Sequence, residues 1–413
     1  MAKTLSNEAV TSRSYLFVHL LTFPFWGLFY LLPIVLYKEL NATPFQIATM
    51  VALKPLVALF SPYWSQLVHQ KPHRLINNLL WANTLKFLPF LFIPFFQNPW
   101  FLIIAFANFM MLKRGVIPGW IELLRLNLPE KKQSKICASA SMIDYLGTAL
   151  LPIPFGLLLD SFPSIWRNLF PLFALMGLSA NLFIRMFPPH VPTVAQSSLP
   201  NFFNSLAAPW KNCWAHLSTR KLFLKFQIGF FLGGAGLMVI HPILPHYFVD
   251  ILNLSYTEML TAMAAFKGIG FVISSPAWVR YFHRVKIFQL CAVVTVFAAL
   301  FPLLLLAAKP FYALVFPAYL VYGIMQGGSE LSWKLSGPTF SKGKESTAFT
   351  SVNVLMVGIR GMIFPYLGSF LFFITQQSIF NLLLGALLSL TASFLMISFG
   401  KKQDRSTFVT HHL

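Results

Sequence analysis

Six basic residues lie inside long apolar runs of this chain: Lys54, Lys86, Lys113, Arg114, Lys267 and Arg360. A charged side chain near the centre of a bilayer costs on the order of 2.5–3.5 kcal/mol on insertion scales, so such residues face a bundle interior or an aqueous cavity. Acids in comparable positions are fewer. Asp144 is inside a run, Glu330 lies toward the end of one, and Glu122 sits near an edge. That balance describes a positively biased interior, suited to an anionic solute or one carrying a carboxylate or phosphate. A carboxylate in a low dielectric can also exchange a proton near neutrality, which makes Asp144 and Glu330 candidates for proton coupling.

Helical spacing adds polar stripes to these charges. His19, Thr22, Trp26 and Tyr30 share one helix face, as do Tyr319, Tyr322, Gln326 and Glu330. Ser141, Asp144 and Thr148 form a shorter stripe, and Asn353 aligns with Arg360. Either these stripes line a cavity, or they hydrogen-bond between helices, the stronger reading for Ser and Thr. Lys113 and Lys86 sit where snorkelling toward a membrane surface is the competing explanation, and Lys86 can also bond to the adjacent Asn83. Arg114 and Arg360 have ion pairing with Glu122, Asp144 or Glu330 as their alternative. The expected solute contacts are therefore Lys54, Lys267, Arg114, Arg360, Trp26, Tyr30, Tyr322 and Gln326.

The elements that position them follow from composition. The 413 residues are 57% apolar and 10% charged, far too few charges to cover a water-soluble surface of this size. Twelve segments have the length needed to cross the hydrocarbon layer: 15–37, 45–67, 75–96, 100–122, 137–159, 165–187, 222–247, 257–279, 287–307, 311–333, 347–373 and 378–399. With a cytoplasmic N-terminus, 22 of the 31 Lys and Arg fall in inside segments and only Lys38, Arg167 and Lys309 fall outside. The net charge of +20 is thus mostly an orientation signal, which predicts cytoplasmic termini, a multi-pass protein of the cell (inner) membrane and no nucleic-acid partner. The first apolar stretch is too long for a signal-peptide core and is expected to be a span.

The chain also repeats itself. Leu32-Pro33, Leu40-Asn41, Lys54, Ser61-Pro62, Trp64 and His69 reappear in order as Leu244-Pro245, Leu252-Asn253, Lys267, Ser275-Pro276, Trp278 and His283, offset by 212 to 214 residues. Trp120 pairs with Trp333 and Pro152 with Pro365. Lys54 and Lys267 are therefore equivalent, and a shared substrate or gating role is expected of them, with structural pairing to a carboxylate or to carbonyls as the alternative. Residues 1–187 form one predicted bundle, 188–221 a cytoplasmic linker, and 222–413 a second bundle with a short cytoplasmic tail.

In this arrangement the chain resembles the major facilitator superfamily. The stretch from Ser65 to Arg74 keeps the leucine and the basic end of the family's loop motif but lacks both glycines and the acid. Arg114-Gly115 is similar to the family's span-four arginine, and Gly147, Pro152 and Gly156, ending at Asp160, to its span-five motif, echoed by Gly361, Pro365 and Gly368. The resemblance implies an all-α membrane protein of twelve transmembrane helices in two pseudo-symmetric six-helix bundles. It implies a secondary transporter working by alternating access, monomeric, in a lipid bilayer.

No Walker A, HExxH or GxSxG sequence is present, so an enzyme or an ATP-driven pump is not expected, nor is a cofactor. The cysteines Cys137, Cys213 and Cys291 have no metal-site spacing, and His241 with His246 is the nearest approach to a ligand pair. A lipid or lipophilic-compound translocase or efflux pump of the same fold is the alternative to a small polar solute carrier.

Overall fold

The computed structural model describes residues 2–70, 75–188, 211, 214–215, 217–341 and 347–410. Most of the predicted linker, and the loop residues Lys71, Arg74, Lys342 and Lys344, lie outside the described residues. Among the described residues there is no strand, and all twelve predicted segments are helical. They are numbered here α1 (Ala2–Lys38), α2 (Pro44–Gln70), α3 (75–95), α4 (Pro99–Asn127), α5 (130–161), α6 (Trp166–Arg185), α7 (Lys221–Ile251), α8 (Tyr256–Phe282), α9 (Ile287–Ala307), α10 (Val315–Ser341), α11 (Thr347–Thr375) and α12 (Ser378–Thr410). Nine stretches of described helix are long and apolar enough to cross a membrane. The other three are α2, apolar over Pro44–Val57, α3, and α10, whose Gln326, Glu330 and Lys334 dilute its hydropathy.

Proline punctuates several helices. In α3 the α-helix ends at Phe87 and continues as a 3₁₀ helix over Leu88–Phe95, which contains Pro89 and Pro94. In α5 the break falls at Leu151, just before Pro152, and in α4 at Val116, two residues before Pro118. A proline lacks the N–H that continues the ladder and clashes with the preceding turn, so each break has a local cause. Toward its end α7 passes through a 3₁₀ turn over His241–Ile243 and a π turn over Tyr247–Ile251.

The sequence repeat is visible in the backbone. Asn41 and Asn253 both have φ of 51°, a left-handed conformation that asparagine tolerates better than most residues. The corner bonds match as well. Leu40 N–H donates to Val35 O and Ala42 N–H to Leu36 O, while Leu252 N–H donates to Tyr247 O and Leu254 N–H to Phe248 O. Each corner then starts a helix with the same reciprocal cap: Thr43 with Gln46 before α2, Ser255 with Glu258 before α8. Within α8 a π turn spans Thr261–Phe266. Its wider turn takes up one extra residue, and the repeat offset rises from 212 at the cap to 213 at Lys267 just beyond it.

The chain divides into two compact units, residues 1–198 with 255–264, and residues 199–254 with 265–413. In the first, Phe25 packs against Phe87, Phe90 and Phe109 at centroid distances of 5.1, 4.6 and 5.1 Å. Asp160, at the end of α5, caps the start of α8, accepting from Tyr256 N–H at 2.8 Å, Thr257 N–H at 3.0 Å and the Thr257 hydroxyl at 2.6 Å. Tyr256 in turn donates its hydroxyl to Glu39 at 2.5 Å. In the second unit, Trp278 donates its indole N–H to Ile324 O at 2.7 Å. Gly270 and Gly323 let the backbones of α8 and α10 meet, because a Cβ at either would collide with Leu320 O or Lys267 O.

Candidate functional site: a polar cavity in each unit

In the second unit a cavity of about 190 Å³ opens between α7, α9, α10 and α11. Arg360 on α11 lines it together with Phe230, His241, Tyr322, Gln326 and Ser329. Three of the predicted contacts, Tyr322, Gln326 and Arg360, are thus brought to one space. Arg360 is only 8% exposed. Its Nη1 donates to Phe230 O at 3.0 Å, and its guanidinium carbon lies 5.8 Å from the Phe230 ring centroid. The Nε donor of Arg360 and the Oε1 acceptor of Gln326 are buried without a hydrogen-bond partner. Gly234 makes the arginine's position available, since a Cβ there would occupy the space of its guanidinium. The alternative of ion pairing does not hold for Arg360, which has no carboxylate partner among the described residues.

Lys267 adds a second cation to this region, its Nζ 5.2 Å from the Tyr322 ring centroid. Cation–π contact of this kind holds an ammonium where carboxylates are scarce. Glu330 follows Gln326 by one turn on α10 and is half-buried. Asn353, on the same stripe as Arg360, has a structural role instead. Its amide bonds to Ser336 Oγ at 2.5 Å and accepts from Gln227, a network sealed within the bundle.

The first unit holds a smaller cavity of about 110 Å³, lined by Tyr15, His19, Thr22, Asn83, Lys86 and Lys113 among others. Asp144 does not bond to Arg114. Its Oδ1 lies 3.1 Å from Nδ1 of His19, so α5 and α1 are joined by a carboxylate–imidazole pair. Glu122 is engaged by Arg125, one turn along the same helix. Trp26 stands beside Lys113, whose Nζ is 5.5 Å from its ring centroid, and Trp26 also packs edge-on against Phe29 and Phe109. Tyr30 and Arg114 are half-buried, and Lys54 on α2 is exposed. None of these last four lines the cavity.

Sequence reasoning missed Lys86, Lys113 and His19 as a set. The stripe at His19 and the two intramembrane lysines were the available signals, yet neither hydropathy nor spacing says which lysine turns inward. The hydroxyls of Thr22 and Thr148 bond back to Val18 O and Asp144 O of their own helices, whereas the hydrogen-bonding explanation expects bonds between helices. His246 lies 2.6 Å from Asp250, one turn on, and among the described residues no group of three or more His, Cys, Asp or Glu could hold a metal ion.

The architecture and the buried charges define an integral, multi-pass α-helical membrane protein. The model of the Major Facilitator Superfamily matches residues 15–365, and the chain belongs to that family. Its fold is that of solved transporters. A mutant of the nucleoside transporter NupG has a TM-score of 0.75 at 15% identity, over 94% of this chain and 99% of that one. A POT family transporter in complex with 5-aminolevulinic acid has a TM-score of 0.73 at 12% identity, over 95% and 96%. A bacterial homolog of the human lysosomal transporter Spinster, inward-facing and unoccupied, has a TM-score of 0.65 at 11% identity, over 95% and 98%. A search of curated protein sequences returns no match.

Proposed function

We propose that the chain is a secondary transporter that carries a small anionic solute across the cell (inner) membrane by alternating access, as a monomer. The observation that carries this reading is Arg360, buried to 8% exposure beside a cavity and, among the described residues, without a carboxylate to neutralise it. A buried guanidinium needs a counter-charge or acceptors for its donors, and an anionic group on the solute supplies both. Gln326, Tyr322 and Ser329 offer further polar contacts around such a group, and Phe230 an apolar wall. The bundles at 1–187 and 222–413, joined by the cytoplasmic linker 188–221, are the moving parts of this proposal, with both termini cytoplasmic. Lys267 and Lys54 take gating roles in it.

Proton exchange at Asp144 supplies the coupling, with Glu330 as the second candidate. The His19 imidazole beside Asp144 gives that carboxylate a hydrogen-bonding partner on α1. Two of the structural neighbours are described as handling small polar molecules, nucleosides in one case and 5-aminolevulinic acid in the other, and a compact polar cargo is in keeping with them.

Uptake of a panel of radiolabelled organic anions into proteoliposomes, with and without a pH gradient, tests the proposal. At least one anion should accumulate, with the gradient increasing uptake by wild type and not by Asp144→Asn. Uptake of lipophilic compounds alone, unaffected by Arg360→Met, would favour the translocase instead.

A further inference from the structure

The first unit contains a lysine that the proposed transport site does not use. Lys86 is only 7% exposed, and its Nζ lies 4.5 and 5.4 Å from the ring centroids of Phe87 and Phe109. An ammonium has three N–H donors and no acceptor lone pair. Among the described residues no oxygen accepts from Lys86. The adjacent Asn83 gives its amide N–H groups to Gly177 O and Asn181 Oδ1, both at 2.9 Å, and its own Oδ1 does not accept from Lys86.

Lys86 lines the cavity of about 110 Å³, and Lys113 lines it too. The carboxylate of this region, Asp144, bonds to His19 through Oδ1 and lies near enough to act electrostatically on both lysines, one negative charge against two positive. Two ammonium groups therefore border one small space whose other walls include Tyr15 and Trp120. The room is enough for more than a single water, which needs about 10–15 Å³ by the same kind of measure. Rings facing an ammonium supply attraction without a hydrogen-bond acceptor, so the donors remain available to an occupant.

We propose that this cavity is an anion-binding site independent of Arg360, taking a compact monovalent anion of chloride to acetate size between Lys86 and Lys113. The same negative charge has two sources, a free inorganic ion or the carboxylate of an organic acid.

Thermal unfolding of the purified full-length protein, at constant ionic strength, separates these outcomes. Replacing gluconate by chloride, formate or acetate should raise the midpoint saturably, by roughly 2–5 °C when the anion is well above its Kd. The rise should persist in Arg360→Met and vanish in Lys86→Met. Lys113→Met, at a less buried position, should weaken it at least tenfold in half-saturating concentration and serves if Lys86→Met does not fold. A response to chloride identifies a free ion, and a response to formate and acetate alone identifies a carboxylate. No saturable rise in wild type, a rise unchanged in the lysine variants, or one abolished by Arg360→Met would overturn the proposal.

Discussion

Asn41 and Asn253 turn the chain through the same left-handed conformation, are flanked by residues that donate the same pair of backbone bonds, and hand over to the same reciprocal cap. The cavities of the two units share no such likeness. One is lined by two lysines and a histidine that Asp144 holds, whereas the other is lined by an arginine, a glutamine and a tyrosine. The repeat is thus maintained where backbone geometry is the requirement and has diverged where side chains meet the interior. Lys54 and Lys267 show how this happens. They are equivalent in sequence, but Lys267 lies against the Tyr322 ring while Lys54 lies exposed on α2.

The contrast can be broken by substitution. Arg360→Met removes the charge from the second cavity and should lower anion uptake about 10- to 100-fold, the scale of one charge-assisted hydrogen bond of roughly 1.5–3 kcal/mol. Initial rates in proteoliposomes at matched protein density measure it. Gly270→Ala forces a Cβ into the backbone of α10 and should cost roughly 1–3 kcal/mol in thermal or denaturant unfolding. Gly268→Ala has open space around it and should be neutral or slightly stabilising by the same assay.

The corners provide the complementary test, because equal geometry predicts equal cost. Asn41→Ala and Asn253→Ala should each destabilise by about 1 kcal/mol, and Gly at either position should restore most of the loss. A markedly larger loss at one corner would show that the likeness is only geometric. The smallest expected effect separates the paired lysines. Lys267→Ala, which removes a cation–π contact of about 0.5–2 kcal/mol, should alter half-saturating solute concentration several-fold, and Lys54→Ala should alter it less.

Much of this arrangement was legible in the sequence. The apolar segments and the repeat each depend on chemistry that hydropathy and spacing report directly, and Arg360, Tyr322 and Gln326 were expected to face one interior. The first cavity was harder to read. Lys86 is one residue from the end of an α-helix that continues as 3₁₀, so a helical wheel drawn through residues 75–96 misplaces the faces beyond it. The corner caps have a sequence signal, Thr43-x-x-Gln46 and Ser255-x-x-Glu258, beside the Leu-Asn pairs of the repeat. The pairing of His19 with Asp144 was not legible at all, because they are 125 residues apart and nothing local selects one partner over another.

The central claim is that the buried guanidinium of Arg360 recognises the anionic group of the solute. Equilibrium binding of a transported anion to detergent-purified protein tests it without the complications of flux. Wild type and Gly268→Ala should bind with the same affinity, while Arg360→Met and Gly234→Ala, which displaces the guanidinium, should bind at least tenfold more weakly with unchanged unfolding midpoints. Unaltered affinity in a folded Arg360→Met protein would contradict the account.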